Sequence, residues 1–193
     1  MPHERGDAGI ECRLVNYQLR DSSEGANLYE ALSYVWGDKE SRRPISINNC
    51  GGEATSNLHT ALLHLRDPVF ERVLWVDAIC INQDDPDEKG RQVRSMANIY
   101  AKAGRVIVWL GEAAEGSDQA MEDIRVAGSE ERHTRPIDKR GREAIFSLLR
   151  RTWFERIWVS KIMPAHITKQ VALIKVDLGP SRGCRSSPGA HQV

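Results

Sequence analysis

The chain has 193 residues, with 27 basic and 27 acidic side chains, zero formal net charge and a pI near 7.0. That length suits one domain with a sizeable core and is short for two, and the balanced charge supplies no basic face to neutralise phosphates, which argues against a nucleic-acid partner. No apolar run approaches the roughly 20 residues of a membrane helix, and the N-terminal MPHERGDAG leads into no signal-peptide core, so the expected location is cytoplasmic.

Residues 10–20 (IECRLVNYQLR) alternate loosely and predict a short edge strand, followed by a loop over 21–27 (DSSEGAN). Residues 30–36 read as a strand buried on both faces that stops at the turn signal Gly37-Asp38. Residues 44–48 are a short strand candidate, and 48–52 (NNCGG) a turn that tolerates positive φ. Thr55 or Ser56 caps a helix over 57–66, with Leu58, Ala61, Leu62 and Leu65 as its apolar stripe, and Asp67-Pro68 ends it.

Residues 73–81 form a nearly continuous apolar run, the pattern of a buried parallel strand. Asp84-Asp85-Pro86-Asp87-Glu88 starts a helix, with Pro86 tolerated in its first turn and acids near the exposed N–H groups. It should reach Lys102, with Val93, Met96, Ala97 and Tyr100 on one face. Residues 105–110 (RVIVWL) predict another buried strand. Further helices are expected over 118–126 and 139–151, the latter with Ala144, Ile145, Leu148 and Leu149 facing the core, and a surface loop over 128–138 between them. Another helical segment should begin at 153–157, and 171–176 is a last strand candidate. The stretch 179–193 has no periodicity and many Gly, Ser and Pro, so disorder is expected there. Strand, helix, strand, helix, strand argues for a mainly parallel α/β sheet with right-handed crossovers.

Polar groups cluster where the apolar strands end: Trp36 and Asp38 after the first, Asp77, Asn82, Gln83 and Asp84 after the second. Parallel sheets place their ligand sites there. Each of these residues also has a structural account. Asp77 can cap the following loop, Asn82 can bond its own backbone, and a large aromatic at a strand end more often packs than stacks on a ligand. Glu88 suits the first turn of a helix without any chemistry. Cys12, Cys50, Cys80 and Cys184 form no CxxC pair, and His59/His64 are poorly spaced for one helical face, so no metal site is expected.

The segments YEALSYVWGD, NLHTALLHLR, VLWVDAICINQDDPDEKGRQVRSMANIYAKAGRVIVWLGE and RRTWFERIW resemble, in order and spacing, the consecutive blocks of the fungal heterokaryon incompatibility (HET) domain over residues 28–158. The resemblance implies non-self recognition linked to programmed cell death, and a flavodoxin-like sheet similar to the Toll/interleukin-1 receptor fold. Some members of that fold assemble to signal, and others cleave NAD at its nicotinamide–ribose bond. The family pattern after the RIW block runs on to Gln-Glu, whereas this chain has Lys161 and Ile162 there. A carboxylate beside the ribose would stabilise the positive charge left as nicotinamide departs, and isoleucine cannot. The resemblance divides the chain into an extension (1–27), the HET domain (28–163) and a divergent, largely disordered tail (164–193).

Two function classes follow. The leading one is a signalling module working through a protein partner or a homo-oligomer, without cofactor, metal or membrane span. The alternative is an enzyme with NAD as substrate, bound near Trp36, Asp77, Asn82 and Gln83, for which Asp77, Glu155 and Glu88 are the remaining catalytic candidates. Glu155 lies two helical turns before Ile162.

Overall fold

The computed structural model describes residues 9–19, 27–67, 69–114, 116–127, 137–155 and 170–177. In chain order these form β1 (Glu11–Gln18), β2 (Glu30–Tyr34), β3 (Arg42–Ile47), β4 (Cys50–Thr55), α1 (Ser56–Leu65), β5 (Arg72–Trp75), α2 (Asp77–Cys80), α3 (Pro86–Lys102), β6 (Arg105–Trp109), α4 (Ser117–Ala127), α5 (Lys139–Leu149) and β7 (Gln170–Asp177). The strands build one sheet in the order β4-β3-β1-β7-β5-β2-β6. Pairs β1–β3, β2–β5 and β2–β6 are parallel, and β3–β4, β1–β7 and β5–β7 antiparallel. Five strands therefore run one way, with only β4 and β7 opposed: a mixed, mostly parallel α/β sheet.

The core forms where the sequence is most apolar. Ala31 and Leu32 of β2, Leu74 and Trp75 of β5, Val76 after it, and Ala61 and Leu62 of α1 are fully buried, with Ile99 of α3. Tyr34 and Ala31 stand on opposite faces of β2. Trp109, in register with Tyr34, meets His64 of α1 at 5.0 Å, while Trp75, in register with Ala31, meets Tyr100 of α3 at 5.4 Å. Helices thus cover both faces of the parallel strands, as crossovers α1 and α3 require. Thr55 caps α1 by accepting from the Leu58 N–H, and Asp85 caps α3 by accepting from the N–H groups of Asp87 and Glu88.

Several expectations change. β1 is not an edge strand: it pairs with β7 along its whole length and with β3 at Glu11 and Cys12. Only Asn48 and Asn49, at φ 52° and 62°, make the turn after β3. Cys50-Gly51-Gly52 instead opens β4, because two left-handed residues give the twist a tight hairpin needs. The run 73–81 is not one strand. It ends at Trp75, and Asp77–Cys80 turns into a helix whose first residue, Asp77, accepts from the Ala78 N–H.

The buried face of α3 is rotated to Ser95, Asn98, Ile99 and Tyr100, leaving Val93 52% exposed. Among the described residues β6 is an edge of the sheet, with Val106 and Val108 over 40% exposed, not a buried strand. In α5, Leu148 is buried but Leu149 is exposed. The strand candidate 171–176 is β7 (Gln170–Asp177), placed between β1 and β5. Residues 152–155 form turns; the rest of the expected helical segment, the loop 128–136, and 164–169 and 178–193 of the tail lie outside the described residues.

Candidate functional site at the strand carboxyl ends

Taken in chain order, the parallel strands β2, β5 and β6 lie in the spatial order second, first, third. Flavodoxin-like sheets begin this way, and their ligand crevice opens beyond the carboxyl ends of the first and third strands. Here that crevice lies between Val35-Trp36, following β2, and Leu110-Gly111, following β6. The chain's own side chains occupy it. Asn57, in the first turn of α1, donates its Nδ2 to the Val35 carbonyl (2.5 Å), while its Oδ1 accepts from Trp109 Nε1 (2.9 Å). Donating to a carbonyl and accepting from an indole fixes the amide's orientation. Arg151 Nη1 donates to the Leu110 carbonyl (3.0 Å), and Trp153 Nε1 donates to Ser33 Oγ (3.0 Å). Gly111 at φ 100° makes the turn under Arg151, whose Nη1 would lie 3.8 Å from an added Cβ.

A second cluster sits beyond β5. Trp36 Nε1 donates to Asp77 Oδ2 (3.0 Å), the Ala78 N–H to Asp77 Oδ1 (2.8 Å), and Gln83 Nε2 to the carbonyls of Asp77 (2.9 Å) and Ile81 (3.3 Å). Of the six residues predicted to bind a ligand, Trp36, Asp77 and Gln83 are therefore brought together. The other three serve local turns. Asp38 accepts from the Glu40 N–H, and Asn82 Oδ1 from the N–H of the exposed Asp84. Glu88 accepts from the Asn82 N–H and braces the loop into α3. Glu155 is exposed, two residues beyond the Trp153 anchor, and Lys161 and Ile162 lie outside the described residues.

Electrostatics at this end disfavour a phosphate. The N-terminus of a long helix normally attracts one, but α3 starts with Asp85 as its cap and Asp87 and Glu88 in its first turn. Asp85 accepts from the Asp87 and Glu88 N–H groups that a pyrophosphate would use, and the like charge of the three acids opposes its approach. Among the described residues no group of three or more His, Cys, Asp or Glu could hold a metal, and no helix is long and apolar enough to cross a membrane. A cavity of about 1260 Å³ lies between α4 and α5, bordered by Gln119, Asp123, Asp138, Arg140 and Arg142, and none of the predicted site residues lines it.

Sequence reasoning missed Ser33, Asn57, Trp109, Arg151 and Trp153 as members of this region. The usable signal was the tryptophans themselves, because a half-buried indole N–H must find an acceptor. Trp36, Trp109 and Trp153 find theirs on Asp77, Asn57 and Ser33.

Residues 29–161 match the protein family described as heterokaryon incompatibility protein (HET). Among curated proteins the chain is similar to Heterokaryon incompatibility protein 6, OR allele, of Neurospora crassa, at 36% identity over 178 residues, covering 67% of this chain and 26% of that protein. The chain thus spans about a quarter of the length of the relative it matches. No solved structure matches it.

Proposed function

The chain belongs to the heterokaryon incompatibility family, which is associated with fungal non-self recognition, and on that premise we propose that it is a signalling module acting by self-association or by binding a protein partner, in a response linked to cell death. One observation carries the proposal. At the strand ends where a sheet of this order would take its ligand, Ser33, Trp36, Asn57, Asp77, Gln83, Trp109 and Trp153 are bonded to one another or to backbone. Opening the crevice to a ligand would break such bonds, and each buried donor left without a partner costs about 1–3 kcal/mol. A braced platform of this kind suits the presentation of surfaces more than the exchange of a substrate. The test is expression in a fungal host of the intact chain beside variants with altered surfaces. Loss of viability that depends on those surfaces supports the proposal; a protein that stays monomeric and binds no partner counts against it.

A second reading has its own support. Trp36, Asp77 and Gln83 do converge at strand carboxyl ends, where NAD would lie if the chain cleaved it. Nicotinamide release from NAD by the purified chain, compared with Asp77→Ala and Glu155→Ala variants, separates the two. Turnover that falls with either substitution establishes the enzyme; no release at high protein concentration leaves the module.

A further inference from the structure

The two edges of the sheet are built differently. β4, at one edge, carries Gly51 and Gly52 and an exposed Glu53, a strand with little apolar surface and a charge near its centre. Natural edges are commonly blunted in this way. β6, at the other edge, reads Arg-Val-Ile-Val-Trp, with no Gly, no Pro and no charge after Arg105. Among the described residues it pairs with β2 alone, and Val106 and Val108 are 44% and 42% exposed on one face. Its single charge stands at the end of the strand and is held by Glu30, so it does not guard the middle.

β6 is also complementary to itself. In an antiparallel pairing with a second β6 centred on Ile107, each Val106 lies opposite the partner copy's Val108, Ile107 opposite Ile107, and Arg105 opposite Trp109. The register is even, so every side chain keeps its face. The exposed valines of the two copies merge into one four-valine strip, a favourable β-branched set for a sheet surface. On the other face the Arg105 guanidinium, 66% exposed, meets an indole, an attractive cation–aromatic pairing. A two-fold axis through Ile107 closes the contact, so it yields a dimer and not an open fibre.

We infer that β6 is a dimerisation edge whose partner is a second copy of this chain, joined through antiparallel β6–β6 pairing into one continuous sheet. This rests on the proposed self-association and names its surface. The test uses the full 193-residue chain in sedimentation velocity over micromolar to submillimolar concentrations. The parent should show concentration-dependent dimerisation. A Val106→Lys/Val108→Lys double variant should weaken it by at least about tenfold, because lysines then face each other across the pair.

Circular dichroism checks that the double variant folds, and a cysteine test guards against its failing to do so. With Cys50 and Cys184 changed to Ser, Val106→Cys and Val108→Cys chains should form a disulfide-linked dimer when mixed. Neither should do so alone, since like positions sit on the diagonal at about 7–8 Å, too far for a disulfide. Dimerisation untouched by the lysines, with no mixed cross-link, overturns the β6 interface while leaving association standing. A parent that remains monomeric overturns the dimer itself, and with it the self-association half of the proposed function. A parent that stays monomeric but binds another protein through Val106 and Val108 overturns the assignment of a second copy as occupant.

Discussion

The two ends of the parallel strands β2, β5 and β6 are closed by different chemistry. At the amino ends one carboxylate, Glu30 on the central strand, bridges both neighbours: Oε2 accepts from Arg72 of β5 at 2.8 and 2.5 Å, and Oε1 from Arg105 of β6 at 2.7 Å. At the carboxyl ends the bonds come from three indoles and an amide and tie loops, a helix start and a turn to the sheet. Ions at the amino end fix register, since Glu30 pairs with Leu74 on one side and Arg105 on the other and a one-residue slip would send its carboxylate to the opposite face. Single hydrogen bonds at the carboxyl end, without an ion pair among them, hold irregular segments that have no register to fix. Here the end at which α/β proteins usually bind ligands is crossed by hydrogen bonds among the chain's own groups.

Removing the amino-end anchor should have the largest effect. Glu30→Ala leaves the Arg72 guanidinium, only 22% exposed, with the Leu65 carbonyl as its remaining bond, and should cost about 2–4 kcal/mol in urea unfolding. Arg105→Ala should cost less than about 1 kcal/mol, because an exposed cation stays solvated when paired or free. Equal effects from the two would show that the bridge is not centred on Glu30, and the contrast between the ends would break.

The carboxyl end should respond next. Asn57→Ala strips Trp109 Nε1 of its acceptor and the Val35 carbonyl of its donor, a loss of about 2 kcal/mol with altered Trp fluorescence. Asp77→Asn keeps an acceptor for Trp36 but weakens the charge-assisted bond, and should cost about 1 kcal/mol. NAD affinity that changes with Asp77→Asn by more than stability explains would return this end to a ligand-binding role.

How much of this was legible in sequence depends on range. The apolar cores of β2 and β5 and the caps at Thr55 and Asp85 follow from local patterns, and so does α3 from Pro86 to Lys102. The central place of β7 does not: its partners Glu11 to Gln18 lie at the other end of the chain, and periodicity carries no pairing information. β6 looked buried because Val106, Ile107 and Val108 are continuous, yet apolarity cannot tell a central strand from an edge. Trp36 and Asp77 were visible as site candidates. Their bond to each other was not, nor was Asn57, which looks like any residue in the first turn of a helix.

The smallest expected effect distinguishes the two ends by pH. His59 lies part-buried on α1, two residues beyond Asn57, and burial first, then the charge of Arg43, holds its pKa below the ordinary 6.5. Above that value both folded and unfolded chains carry a neutral imidazole, and His59 makes stability independent of pH. As pH falls through 6.5 the unfolded chain takes up the proton first, so stability drops and levels off only below the folded-state value. Glu122 acts in the same direction but in a lower window: the Arg125 hydrogen bond lowers its pKa, so its contribution is present above the ordinary 4.5 and lost as pH falls below it. A urea series from about pH 7.5 to about pH 5 therefore keeps Glu122 out of the measurement. The expected result is a shallow decline that His59→Gln flattens and added salt reduces in part, because salt screens only the Arg43 charge and leaves the burial cost intact. A decline that persists in His59→Gln would move the acid sensitivity away from α1.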